Sequence, residues 1–132
     1  MSQDHCSKEH ADLIRDLMPQ RDLMVGDKVS HPTEGEGIVV KLFKSYVQVE
    51  TDHGALTLHK KNLTRLYSFS EIWEELPESL TVNKMKTEIT IRKLYRITRI
   101  SYDWFDEVLI KFQDLIPANA AAELLAWVRR EK

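Results

Sequence analysis

The chain has 132 residues, the size of one ordinary domain or of two small units sharing a core. Hydrophobic residues make up 42% and charged residues 30%, which excludes wholesale disorder, and no apolar run approaches the roughly 18 residues of a membrane span. With 19 basic against 21 acidic residues the formal charge is −2, which argues against a bulk polyanion binder and leaves room for a local basic patch.

Residues 1–21 read as an N-terminal helix behind a loose start. Ala11, Leu13, Ile14, Leu17 and Met18 recur at helical spacing. Ser7 is placed to cap the helix and Pro19 to stop it. The opening residues are polar and acidic, without the basic start and apolar stretch of a secretory leader. The single cysteine, Cys6, cannot form an internal disulfide. Both features lead us to expect a reducing, cytoplasmic location.

Residues 22–67 change character. Proline and glycine punctuate short β-rich runs at Lys28–Pro32, Ile38–Phe43, Tyr46–Thr51 and Ala55–Lys60. A further strand is expected near Tyr67. Ile38, Val40 and Leu42 alternate, as do Val47 and Val49, so Val40, Leu42, Val47 and Val49 are expected to point inward. Lys44-Ser45 and Asp52-His53-Gly54 read as hairpin turns. This predicts a small antiparallel barrel or curled sheet of five strands.

Residues 68–132 read as helical. Ser70 is expected to cap a segment ending at Leu76, before Pro77. The stretch Val82–Ile100 carries two signals. Thr87, Ile89, Thr90, Ile91 and Thr98 are β-branched, yet Ile89, Arg92–Arg96 and Ile100 fit a helix, and we read it as helix. Ser101 then caps a helix whose Tyr102, Phe105, Val108, Leu109, Phe112 and Ile116 follow a spacing of three and four. Pro117 opens a last helix with a stripe of Ala121, Leu124, Leu125 and Val128 and with Arg129, Arg130 and Lys132 at its end.

The run Val25-Gly26-Asp27-Lys28-Val29-Ser30-His31-Pro32, followed by Gly35-Glu36-Gly37-Ile38-Val39-Val40, resembles an SH3-like barrel of the Tudor/KOW kind. It is similar to the C-terminal module of UvrD/PcrA-type helicases and, more loosely, to the RNA-polymerase-interacting modules of CarD and Mfd. The resemblance covers residues 24–67. Asp52-His53-Gly54 departs from the family's simpler Asp-Gly turn by one residue. The resemblance implies a docking module that binds proteins, RNA polymerase among them, or nucleic acids, and it implies no catalysis. Fold alone does not set function.

The expected architecture is therefore α+β: an N-terminal helix (1–21), a five-stranded SH3-like barrel (22–67), and a helical domain (68–132) packed on it as a bundle of three or four helices. Gly35 and Gly37 are expected to supply backbone angles closed to other residues. Gly35-Glu36-Gly37 lacks the third glycine and following helix of a phosphate loop. The five histidines, His5, His10, His31, His53 and His59, show no metal-ligand spacing, so no metal and no cofactor are expected. His31 is expected to hydrogen-bond across the first loop. Cys6, in a terminus read as mobile, has no base beside it in sequence, and no catalytic residue is assigned.

Two surfaces are candidates for binding. On the barrel, Lys41, Phe43, Tyr46, Gln48 and Glu50 are expected to point outward, and the aromatics suit recognition of a protein partner or base stacking. Trp104 is a further candidate anchor. The plain alternative is that Phe43 and Tyr46 pack against a helix. The second surface is basic: Lys84, Lys86, Arg92, Lys93, Arg96 and Arg99, with only Glu88 opposing them. On a helix Arg92, Arg96 and Arg99 share a face, as nucleic-acid binding would use. The plain alternative is a solvated charged face. Residues 90–112 also resemble a helix-turn-helix in outline. Tyr95, Arg99 and the carboxylates Asp103, Asp106 and Glu107 depart from that pattern. The leading expectation is a non-catalytic protein-binding adaptor or regulator of a bacterial or phage cell, docking on RNA polymerase or an associated transcription or repair factor. The alternative is nucleic-acid binding through residues 84–99.

Overall fold

A computed structural model describes residues 4–82, 84–105 and 107–131. The chain is mixed α+β, with two antiparallel sheets and, among the described residues, three α-helices. It divides into two compact units, residues 19–67 and residues 1–18 with 68–132. No helix among the described residues is long and apolar enough to cross a membrane.

The first unit is one five-stranded antiparallel sheet. Its strands are β1 (Lys28–His31), β2 (Gly35–Leu42), β3 (Tyr46–Thr51), β4 (Gly54–His59) and β5 (Thr64–Arg65). Their spatial order is β4-β3-β2-β1-β5. Two expected turns form as hairpins. Phe43 N–H donates to Tyr46 O at 2.9 Å, and Asp52-His53 joins the paired Thr51 and Gly54. Gly54 has φ +108°, a left-handed angle that favours glycine.

The core of this sheet is Val29, Val39, Val47 and Val49, with Leu23, Leu58 and Leu63 packed against it. Here the expected facing of β2 is corrected. Val39 points inward and Val40, 39% exposed, does not, whereas Leu42 keeps the expected face opposite core Val47 while staying 41% exposed at the strand end. Ile38-Val39-Val40 is an unbroken apolar run, so alternation cannot choose its parity. Pairing chooses it: Val39 lies opposite Val49, and a register shift between Val39 and Lys41 leaves Val40 as the extra residue of a bulge.

The Gly26-Asp27 pair latches the chain entering β1. Gly26 has φ +99°, and its N–H donates to Val39 O at 2.8 Å. The Asp27 carboxylate accepts both Arg21 guanidinium nitrogens at 2.8 Å and Met24 N–H at 2.8 Å. Burial would raise the Asp27 pKa, but the Arg21 hydrogen bonds, the Met24 N–H and the charges of Arg21 and Arg65 together hold it below the usual 3.8. The latch is thus intact above pH 3.8 and lost as pH falls through the lower folded value. Asp27→Asn should cost about 1.5–3 kcal/mol at neutral pH, toward the lower figure because Arg21 is partly solvated. Urea unfolding at pH 7 and pH 3 tests this: the gap between variant and parent should shrink in acid, and an equal gap at both pH values refutes the latch.

In the second unit, α1 (Lys8–Ile14) is capped by Ser7 and runs into a 3-10 turn at Arg15–Leu17. Ala11, Ile14 and Met18 are buried. Cys6 is also fully buried, which corrects its expected place in a mobile terminus. Helix α2 (Phe69–Glu75) is capped by Ser68 and not by Ser70. Ser68 and Glu71 form a reciprocal capping box, which satisfies two backbone N–H groups at once.

The expected helical bundle is overturned between residues 79 and 114. Strands β6 (Ser79–Val82), β7 (Met85–Leu94), β8 (Ile97–Trp104) and β9 (Glu107–Asp114) form an antiparallel meander in that order. Helix α3 (Pro117–Glu131) then packs on β8 and β9 and against α1 and α2. The stretches read as helices at 82–100 and 101–116 are therefore strands. Buried Ile100 and Tyr102 alternate on β8, a period of two that a three-four helical reading of the same residues conceals. The inner layer also holds Thr87, Ile72, Leu80 and the α3 residues Ala121, Leu124, Leu125 and Val128. The α3 residues are those of the expected stripe. Its Arg129 and Arg130 lie in the last turn, and Lys132 lies outside the described residues.

Candidate functional site

Three groups of side chains hold chemistry beyond packing. The first is on the outer side of the β2–β3 hairpin. Lys41, Phe43 and Tyr46 are exposed and Gln48 is half-buried, and the sheet brings all four together as expected. Tyr46 meets His59 edge-on at 4.9 Å between ring centroids. Lys41 Nζ lies 5.3 Å from the Phe43 ring centroid, within cation–π range. Glu50 is exposed opposite Ile38. The sequence reading missed Ile38 and Val40, which join this surface because Val39 takes the inward place. Trp104 belongs to the other unit.

The second group is the outer face of the four-stranded sheet. Side chains alternate along a strand, so Lys86, Glu88, Thr90 and Arg92 share one face of β7 and Lys93 points to the other. On β8, Arg99 lies directly opposite Arg92. The shared helix face of Arg92, Arg96 and Arg99 does not exist: Arg96 sits in the β7–β8 turn, its guanidinium 5.8 Å from the Tyr95 ring centroid. Lys84 occupies the β6–β7 turn with φ 69°. Lys111 of β9, opposite Ser101, adds a basic group that the sequence reading missed. Arg99 Nε is buried with no hydrogen-bond partner among the described residues.

Acidic groups limit this surface. Glu88 and Asp103 are cross-strand neighbours, and Asp103 accepts a hydrogen bond from Ser101 Oγ at 2.7 Å. Trp104 ends β8 instead of lying on a helix, and its ring meets the Phe105 ring edge-on at 5.0 Å. With Lys86, Glu88, Thr90 and Asp103 these two rings line a groove of about 350 Å³. Asp106, cited against the helix-turn-helix likeness, lies outside the described residues.

The third group was not anticipated. His10 of α1, Asp114 at the end of β9 and Glu123 of α3 each place one metal-ligating atom within 4.8 Å of the other two. His10 Nε2 lies 3.1 Å from Glu123 Oε1, although the residues are 113 apart in sequence. His10 Nδ1 lies 2.8 Å from Ser7 Oγ. Ser7 N–H in turn donates to Asn119 Oδ1 at 2.8 Å, and Asn119 is buried. Asp114 Oδ1 accepts Ile116 N–H at 2.9 Å, which orients the carboxylate at the start of α3. No local spacing announces this cluster, because three separate elements supply it.

His31 and His59 serve turns. His31 Nδ1 accepts from Thr33 N–H and Glu34 N–H, both at 3.2 Å, across the first loop as expected. His59 Nδ1 accepts Lys61 N–H at 3.2 Å. Comparison with protein-family models, curated proteins and solved structures finds no match to the chain.

Proposed function

We propose that the chain is a non-catalytic protein-binding adaptor or regulator that docks through the outer side of its β2–β3 hairpin. One observation carries the reading: Ile38, Val40, Phe43 and Tyr46 are each 39–48% exposed on a single hairpin. Grouped apolar and aromatic side chains left in water mark interaction surfaces, whereas scattered ones do not. Lys41, Gln48 and Glu50 supply the polar rim such an interface needs. The likeness of residues 24–67 to Tudor/KOW barrels, and a strand order in which β5 pairs with β1, support an SH3-like barrel. That likeness makes RNA polymerase or an associated factor the first partner to test.

Replacing Phe43 and Tyr46 by alanine should abolish binding of purified bacterial RNA polymerase, or of the factor recovered with it, after nuclease treatment. Thermal stability should change little, since exposed substitutions mostly stay within about 0.5 kcal/mol. Retention of binding by the folded double variant refutes the docking face.

A second reading, nucleic-acid binding, is favoured by the Arg92–Arg99 pair. Like charges directly opposite on a sheet oppose folding, and a phosphate between them removes the conflict. On this reading the chain's affinity for a single-stranded probe falls steeply with salt and drops about tenfold or more on Arg92→Glu/Arg99→Glu. Absence of any probe shift at low salt rules it out.

A further inference from the structure

We propose that His10, Asp114 and Glu123 form a binding site for one divalent transition-metal ion of the zinc class. The donor set is one imidazole nitrogen and two carboxylates, from α1, β9 and α3. Imidazole with carboxylate suits Zn²⁺, Co²⁺ or Ni²⁺, whereas Mg²⁺ and Ca²⁺ prefer all-oxygen shells. Nothing in this inference depends on the docking face.

The surroundings match what a metal-binding histidine needs. A ligating imidazole presents one nitrogen to the ion and has the other fixed by a hydrogen bond. Here Ser7 Oγ, at 2.8 Å, holds Nδ1 and leaves Nε2 directed at Glu123. The rear partner is itself held, since Ser7 N–H is bound by the side chain of buried Asn119 on α3. Asp114 is oriented by Ile116 N–H. The His10 side chain is 16% exposed and that of Glu123 35%, so the ion has an entry path and is partly screened from water.

Without a cation two carboxylates converge on one imidazole, and only one of them is paired to it. An ion placed among the three binds the Nε2 lone pair of the neutral imidazole whose Nδ1–H donates to Ser7 Oγ, any Nε2 proton passing to solvent, and its two positive charges neutralise both carboxylates. Metal–ligand distances of about 2.0–2.2 Å require the three donor atoms to close in from their present separation. The proposal requires Asp114 and Glu123 to close this gap by side-chain rotation. Three protein ligands leave a fourth position for water.

The experiment is titration of the full, chelator-treated chain with Zn²⁺ by calorimetry and with Co²⁺ by visible absorbance. One equivalent should bind, Co²⁺ should give d–d bands of a low-coordinate site, and the melting temperature should rise. Glu123→Gln keeps the length and hydrogen-bonding capacity of the side chain and should weaken binding about 10- to 100-fold. Ser7→Ala, which removes the rear support together with the α1 cap, should weaken it about tenfold. His10→Ala should abolish it, and His53→Ala, on an exposed turn, should leave it unchanged. Circular dichroism confirms that each variant is folded. Absence of saturable binding, or binding that survives in folded Glu123→Gln and His10→Ala, overturns the site. Equal loss in His53→Ala overturns it as well.

Discussion

Gly37→Ala should unfold the five-stranded sheet well before its parent, at a cost of about 2–3 kcal/mol, the upper part of the range for overpacking a filled core. A Cβ at this position meets Val49 Cγ1 closer than any real contact. It also lies 2.8 Å from the backbone oxygen of Glu50 and 3.0 Å from Thr51 Cγ2. Val49 can rotate, but the Glu50 carbonyl belongs to the paired strand, where Ile38 faces Glu50 and Gly37 faces Thr51. The backbones themselves must part. Gly37 is thus needed for close approach, and this corrects the expectation that it serves an unusual backbone angle. Gly35 is the converse case: its φ is +81° and its Cβ would meet nothing within 4 Å. Gly35→Ala should cost only about 1 kcal/mol, from left-handed strain alone. Urea unfolding of both variants, with amide exchange of strands 28–65, separates the two causes. Equal costs at the two glycines refute the steric account.

Tyr102→Ala should cost about 3–5 kcal/mol, the range for emptying an aromatic site. Tyr102 is fully buried, and its phenol donates to Pro77 O at 2.8 Å. Tyr102→Phe keeps the ring and should cost about 1 kcal/mol for the lost hydrogen bond. The two variants also differ from the parent in alkali. Burial pushes the Tyr102 pKa up to about 12, from an ordinary 10. The fold therefore prefers the neutral phenol. Its contribution is complete below pH 10 and is lost as pH rises from 10 toward 12. Parent stability should fall in that window more steeply than that of Tyr102→Phe, measured by urea unfolding at pH 9, 10 and 11. Parallel pH profiles refute a buried neutral phenol.

These two residues stand in units that differ in how far sequence reveals them. The first sheet was legible almost strand by strand, because Gly35, Gly54 and the Asp52-His53 connection mark its turns and short runs alternate between them. The second sheet has no glycine or proline between Glu78 and Ile116. Its three hairpins turn at Lys84, Tyr95 and Phe105, all with positive φ. Non-glycine residues at such angles are uncommon, so the glycine and proline turn signals were absent. Meanwhile β-branched and apolar residues spaced three and four apart imitated a helix. Tyr95 and Phe105 are 90% and 85% exposed, and their rings meet the neighbouring Arg96 and Trp104 respectively.

The candidate sites divide the same way. The Phe43–Tyr46 surface was readable because both residues flank a recognisable hairpin. The basic residues were visible as a run, but their arrangement depended on the wrong periodicity. On strands, Arg92 and Arg99 become direct neighbours, Lys93 turns away and Lys111 joins from another strand. The His10, Asp114 and Glu123 cluster left no trace in the sequence, since metal-ligand spacing is a signal only when one element or one loop carries the ligands.

By itself, then, the sequence determined what short-range physics controls. It placed α1 with its Ser7 cap, α3 with its proline start and alanine–leucine stripe, the first four strands and their turns. Each follows from backbone angles, caps and local alternation within a few residues. Tertiary structure decided the parity of β2, the conversion of residues 79–114 into a sheet, and the meeting of His10 with Asp114 and Glu123. These outcomes depend on which surface is buried against which, an energy shared among residues far apart in the chain, and it outweighs local preferences of a few tenths of a kcal/mol per residue.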